Sequence, residues 1–193
     1  GLVLAGGRSS RMQADKAALD YGRRPQLARA FELLKSRVQQ AWVSVRADQR
    51  DEPLRARYPQ IVDGTLGGGP IAGIIAAQSL HPGAAWLVLA CDLPLLDGVT
   101  LDRLLAGRDT RRIATAFRSA SDGLPEPLCA IYEPASREAV LRHVAAGRLC
   151  PRKFLATHDA LLLEPPHPHA LDNANTPQDA EALRALLATS EPA

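Results

Sequence analysis

The order in which short apolar runs and amphipathic stretches alternate along this chain constrains its fold more than any single residue does. GLVLAGG at 1–7 is an apolar run that stops on paired glycines, and AWVSVRA at 41–47 is β-branched and strand-like. Between them Pro25 suits the N1 position of a helix, and Leu27, Phe31, Leu34 and Val38 fall on one helical face. The alternation continues with a short strand around Ile61 to Val62, a helix from Pro70 to Leu80, a buried strand from Trp86 to Ala90 and a helix from about Val99 to Leu105. This order predicts a mostly parallel sheet sandwiched by helices, an α/β fold of three layers. After residue 111 two strand-like runs follow one another, RIATAF at 112–117 and PLCAIY at 127–132, before a helix near Ser136 to Ala146. Some mixed or antiparallel pairing is therefore expected. Thr176 as N-cap, Pro177 at N1 and Leu183, Leu186 and Leu187 on one face predict a C-terminal helix.

With 193 residues, 46% of them hydrophobic, the chain can bury a core of one domain spanning 1–193 and leaves little for a second unit. The 23 Lys and Arg residues against 21 Asp and Glu leave a net charge of +2, so charge alone predicts no nucleic-acid partner. Cys91, Cys129 and Cys150 are odd in number, widely spaced and without CxxC spacing. They argue against a disulfide framework or structural zinc, and a reducing cytoplasm is the expected location. The apolar runs are strand-length, far below the roughly 20 residues that span a bilayer, so no membrane span is expected, and no signal peptide is visible. The chain begins on Gly rather than Met, which leaves room for a leader or an upstream domain.

The strongest chemical feature is LAGGRSSRMQADKAAL at 4–19, where a strand ends in Gly6 and Gly7 and a polar loop carries Arg11 and Lys16. Glycines let backbone amides approach phosphate oxygens, while Arg11 supplies a fork and Lys16 a point charge, so the loop suits a triphosphate. A glycine pair with basic neighbours is, by itself, more often a turn and a solvated loop. It is not a P-loop, because no Gly precedes Lys16 and no Ser or Thr follows it. Asp92 stands where the strand WLVLAC emerges into DLP. An Asp there is commonly a cap, yet ligands of open α/β sheets bind beyond the carboxyl ends of strands, where one carboxylate can help hold a hard cation. Asp15, beside Lys16, is better suited to pairing with a neighbour or orienting the lysine. GGGPIA at 67–72 formally fits G-x-G-x-x-A but does not join a strong strand tightly to a helix, so it reads as a loop in which Pro70 starts a helix and Gly73 permits close packing or ligand approach. His167 and His169 lack a third ligand for a transition metal. No GxSxG, HExxH or Cys/His nucleophile arrangement supports hydrolysis.

LAGGxxxRMxxDKxxL, followed in order by Asp63 closing IVD, GPIAGI at 69–74, CDLP at 91–94, PL at 127–128 and NANTPQD at 173–179, resembles the molybdenum cofactor guanylyltransferases. The likeness runs along most of the chain. It implies a GT-A type, Rossmann-like nucleotidyltransferase fold and magnesium-dependent transfer of GMP from GTP to molybdopterin, with release of pyrophosphate. Carried over by motif, Leu4, Ala5, Gly6, Gly7, Lys16, Asp63 and Asp92 become nucleotide contacts, Arg11, Lys16 and Asp92 the catalytic set, and Asp92 the magnesium ligand. Gly73, Arg152, Lys153, Asn173 and Asn175 are candidates for the acceptor side, and molybdoenzyme-maturation proteins are possible partners. Arg46 stands where the family's guanylyltransferases often carry Asn, and Gln13 and Ala14 stand where it often carries glycines. A CTP-dependent or other small-phosphate nucleotidyltransferase, and a noncatalytic nucleotide-binding module of a larger protein, are the alternatives.

Overall fold

The computed structural model describes residues 1–7, 15–19, 24–64 and 68–173. The chain order is β1 (Leu2–Leu4), α1 (Gln26–Lys35), β2 (Trp42–Val45), β3 (Gln60–Val62), α2 (Pro70–Leu80), β4 (Trp86–Ala90), α3 (Gly98–Ala106), β5 (Ala114–Arg118), β6 (Pro125–Tyr132), α4 (Ser136–Ala145), α5 (Pro151–Thr157) and β7 (Ala160–Leu163). The strands form one seven-stranded sheet in the order β3-β2-β1-β4-β6-β5-β7. β3, β2, β1 and β4 run parallel, β6 runs against both β4 and β5, and β7 pairs parallel with β5. The expected mostly parallel, partly mixed sheet is therefore present, with β6 the one reversed strand among the described residues.

Period-two alternation sends neighbouring side chains of each strand into different layers. Val3, Val43, Leu87 and Leu89 join Leu27, Phe31 and Leu34 of α1 and Leu101 and Leu104 of α3 in one core. Leu2, Trp86 and Val88 join Ile71, Ile74 and Ile75 of α2, Val140 of α4 and Phe154 of α5 in the other. Pro25 is the N-cap rather than the first helical residue of α1, and Val38 packs against the core from just beyond the helix's end. α2 starts at Pro70 after Gly69, whose φ of 59° is a conformation that favours glycine. Asp97 caps α3 by accepting from the Thr100 amide at 2.8 Å. At the amino ends of β2 and β4 the rings of Trp42 and Trp86 lie 5.3 Å apart, and His81 sits against both.

The chain lays β2 and β3 on one side of β1 and then crosses to place β4 on the other side. The carboxyl ends of β1 and β4 thus flank a topological switch point, where a crevice opens in such sheets. Among the described residues no helix is long and apolar enough to cross a membrane. The helix expected after Thr176 lies outside the described residues.

Candidate nucleotide site

A cavity of about 480 Å³ opens at the switch point. Leu4, Ala5, Gly6 and Gly7 reach it from the end of β1, Ser44 and Arg46 from β2, Asp63 from β3, Pro70 from the start of α2 and Asp92 from the end of β4. Sequence segments that are remote from one another meet there because parallel strands bring their carboxyl ends to one edge.

The Ser44 hydroxyl donates to Asp63 Oδ1, and the Arg46 guanidinium donates to the Gly6 carbonyl and, at 2.9 and 2.8 Å, to both carboxylate oxygens of Asp48. Burial pushes the Asp63 carboxyl above the usual range, against the lowering pull of Ser44 and Arg46. Crowding explains Gly6: a Cβ there would lie 3.2 Å from Asp63 Oδ2 and 3.5 Å from Arg46 Cγ. At Gly73 a Cβ would come within 2.4 Å of Ser44 Oγ and 2.7 Å of Leu4 Cδ2. Gly73 is thus a packing glycine under the residue that holds Asp63, and it lines neither this cavity nor the neighbouring one.

Lys16 begins a short 3-10 turn over 16–18, whose amide at Ala17 donates to Asp15 Oδ1 at 3.1 Å. Asp15 lines the cavity and pairs with a neighbour, as expected, but the neighbour is Arg55, which the sequence did not single out. The Arg55 side chain is 1% exposed. Its Nε and Nη2 donate to the Ala5 carbonyl at 3.1 and 2.9 Å, its Nη1 and Nη2 to Asp15 at 2.6 and 2.9 Å, and its Nη1 also to Glu52 at 3.0 Å. Five contacts match the five N–H groups of a guanidinium. Burial alone raises the Asp15 and Glu52 carboxyls, yet the hydrogen bonds and charge of Arg55, with backbone amides, bring both below the ordinary range. Arg55 lies in the polar run DQRDEPLRARYPQ between Arg50 and Arg57, and no local pattern distinguishes it from those neighbours. Arg11 lies outside the described residues.

A smaller cavity of about 210 Å³ adjoins the first and shares Pro70 and Leu128 with it. Arg152 from the first turn of α5 and Asn173 line it together, so the structure brings these two acceptor-side candidates to one place. Arg152 donates to Asp122 at 2.9 Å and to both oxygens of Glu126 at 3.1 Å. Lys153 is exposed and lines neither cavity. Asn175 lies outside the described residues.

Among the described residues no group of three or more His, Cys, Asp and Glu side chains is arranged to hold a metal ion. Asp92, which lines the cavity together with Asp15 and Asp63, is a hard oxygen donor of the kind that fits magnesium, an ion that keeps waters and takes its remaining ligands from phosphates.

A family model described as the MobA-like NTP transferase domain matches residues 1–161. The chain is 34% identical over 179 residues to a molybdenum cofactor biosynthesis bifunctional protein of Synechocystis, an alignment covering 93% of this chain and 52% of that one. The chain thus spans about half the length of that relative. It is 30% identical over 201 residues to a molybdenum cofactor guanylyltransferase of Shewanella pealeana, with 98% of this chain and 96% of the relative covered. Among solved structures, molybdopterin-guanine dinucleotide biosynthesis protein A of Archaeoglobus fulgidus superposes with a TM-score of 0.75 at 22% identity, covering 97% of this chain and 98% of that one.

Proposed function

Because this chain belongs to the family of MobA-like NTP transferases, we propose that it transfers GMP from GTP to molybdopterin and releases pyrophosphate. The observation that carries this reading is the cavity at the carboxyl ends of β1, β3 and β4, whose lining combines the glycine-ended first strand, the Asp63 carboxylate and Asp92. The names of the relatives in Synechocystis and Shewanella pealeana point the same way.

The acceptor is a phosphate monoester, already anionic near neutral pH, so no covalent intermediate with the protein is needed. One acceptor phosphate oxygen bonds to the α-phosphorus of GTP, the bond from that phosphorus to the bridging oxygen breaks, and pyrophosphate leaves. The protein's work is to hold these groups in line and to neutralise charge. Gly6 and Gly7 offer backbone amides without side-chain obstruction, and Lys16 and Arg11 meet the charge on the leaving pyrophosphate. Ionised Asp63 accepts from guanine, whose N1–H and 2-amino group present two donors to one carboxylate. Asp92 would hold magnesium, which supplies charge neutralisation between donor and acceptor phosphates. On this reading Arg152 and Asn173, which line the adjoining cavity, receive the acceptor. The odd number and wide spacing of Cys91, Cys129 and Cys150 support a reducing cytoplasmic setting.

The test is pyrophosphate release measured with each of GTP, CTP, ATP and UTP, with and without molybdopterin and with magnesium chelated. Release that needs GTP, molybdopterin and magnesium together is expected. Saturable nucleotide binding without pyrophosphate would make the chain a binding module, and release with CTP in place of GTP would overturn the base assignment.

A further inference from the structure

Arg55 is buried, bears a positive charge beside a site for anions, and nevertheless has no donor left for a ligand. Its five N–H groups are taken by the Ala5 carbonyl, Asp15 and Glu52. Ala5 is bonded directly to Gly6, and Asp15 directly to Lys16. The guanidinium therefore ties the strand that leads into the glycine amides to the turn that carries the lysine, across the segment 6–14.

We propose that Arg55 is a positioning residue that fixes the spacing between the amide side and the cationic side of the triphosphate cradle. The proposal rests on the nucleotide reading above. Closing a segment of this size costs chain entropy, and a tie made in the free protein removes that cost from ligand binding. A planar fork suits the task because it can hold a carbonyl on one edge and a carboxylate on the other at once. Lysine has three donors radiating from one atom and cannot span both. The Asp15 carboxylate also receives the Ala17 amide at 3.1 Å, so the tie extends into the first turn after Lys16. The base-reading end of the site does not depend on it: Asp63 is held by Ser44, from β2.

This separation sets the test. With magnesium present, affinities for GTP and for GMP are measured by calorimetry on the wild-type chain, Arg55→Lys and Asp15→Asn, together with each variant's thermal midpoint. Asp15→Asn keeps the shape at a partly exposed position, so it serves where Arg55→Lys does not fold. The wild type is expected to bind GTP more tightly than GMP. Both variants are expected to lose about 10-fold or more of GTP affinity, converted from roughly 1.4 kcal/mol per decade, with GMP affinity within about twofold. A GTP to GMP ratio unchanged in folded variants overturns the proposal and leaves the nucleotide reading standing. Parallel loss of both ligands assigns Arg55 a purely structural role and also overturns it. A wild type with no preference for GTP over GMP overturns the nucleotide reading, and the proposal falls with it.

Discussion

Two arginines, each paired with two carboxylates, stand on opposite flanks of the crevice and differ in what water can reach. Arg55, on the side of β1 and β2, is 1% exposed and has every donor occupied; Arg152, on the side of β6, is 33% exposed, with Asp122 41% and Glu126 16% exposed. The Arg55 guanidinium has already lost its hydration while Asp15 and Glu52 stay 39% and 36% exposed, so removing it opens a void and leaves the buried Ala5 carbonyl without its donor. A rim pair is screened, contributes little to stability and can exchange a carboxylate for a phosphate at small cost. The wholly parallel half of the sheet thus presents a cradle built before any ligand arrives. The half containing the reversed strand keeps its cation in reserve on acidic side chains, a suitable state for a second substrate.

The sharpest way to break this contrast is Arg55→Ala, which leaves Asp15, Glu52 and the Ala5 carbonyl without their shared donor. It is expected to cost about 2–3 kcal/mol of stability through the lost packing and the unpaired carbonyl, read as a lowered urea midpoint, whereas Arg152→Ala should stay within about 1 kcal/mol of wild type. Equal losses would mean that burial does not separate the two arginines. Next in size, Lys16→Ala should lower kcat/KM by about 100-fold or more with the fold intact, since its charge is needed most as pyrophosphate departs. An unchanged rate removes Lys16 from the chemistry. On the other flank, Arg152→Ala is expected to raise the KM for molybdopterin by about 10-fold while that for GTP stays constant. Lys153→Ala, at an exposed position lining neither cavity, should change neither constant, and the two substitutions assayed separately decide whether the adjoining cavity is the acceptor's.

The smallest effect concerns pH. The folded-state carboxyl of Asp63 lies above its ordinary range because burial disfavours the charge. If guanine donates to the ionised form, as proposed above, GTP affinity should be full above the raised pKa and be lost as pH falls through it. The decline should begin at a higher pH than the ordinary Asp value of about 3.9 predicts. Asp15 and Glu52 shift in the opposite direction. The stability they contribute is present above the unfolded carboxylate range and is lost only as pH falls through their lowered values. Calorimetry of GTP binding on wild type and Asp63→Asn across mildly acidic pH separates the two: the wild-type slope should vanish in the variant.

Much of this arrangement is legible in the chain. The limits Pro70–Leu80 and Trp86–Ala90 were readable because a proline start, a run of isoleucines and a run of uncharged β formers leave little choice of boundary. β7 escaped notice because ALLL is short, half-buried and set at a sheet edge between α5 and a proline-rich connection. β6 begins at Pro125, earlier than the PLCAIY run suggests. Pro125 and Pro127 look like breakers, but the ladder with β5 shifts register between Ala116 and Phe117, where an irregular strand accommodates residues that cannot donate. In the site, Gly6, Gly7 and Asp92 at strand ends declared themselves because their chemistry is local, whereas Asp63 came only with the family resemblance. Arg55 could not, since its meaning lies in contacts with Ala5 and Asp15, 50 and 40 positions away. Ser44 was likewise hidden: a hydroxyl inside a strand gives no sign of which carboxylate it meets.

The Trp42 and Trp86 pair closes the amino ends of β2 and β4, and the chain contains no other tryptophan. Trp86 stands four residues before Ala90, about 13 Å along a strand, while the crevice lies beyond the opposite end. The molecule's tryptophan emission therefore originates at the end of the sheet opposite the crevice. It should register loss of the folded state as the two indoles part and change little as the crevice fills, an optical channel for stability to set beside measurements of occupancy.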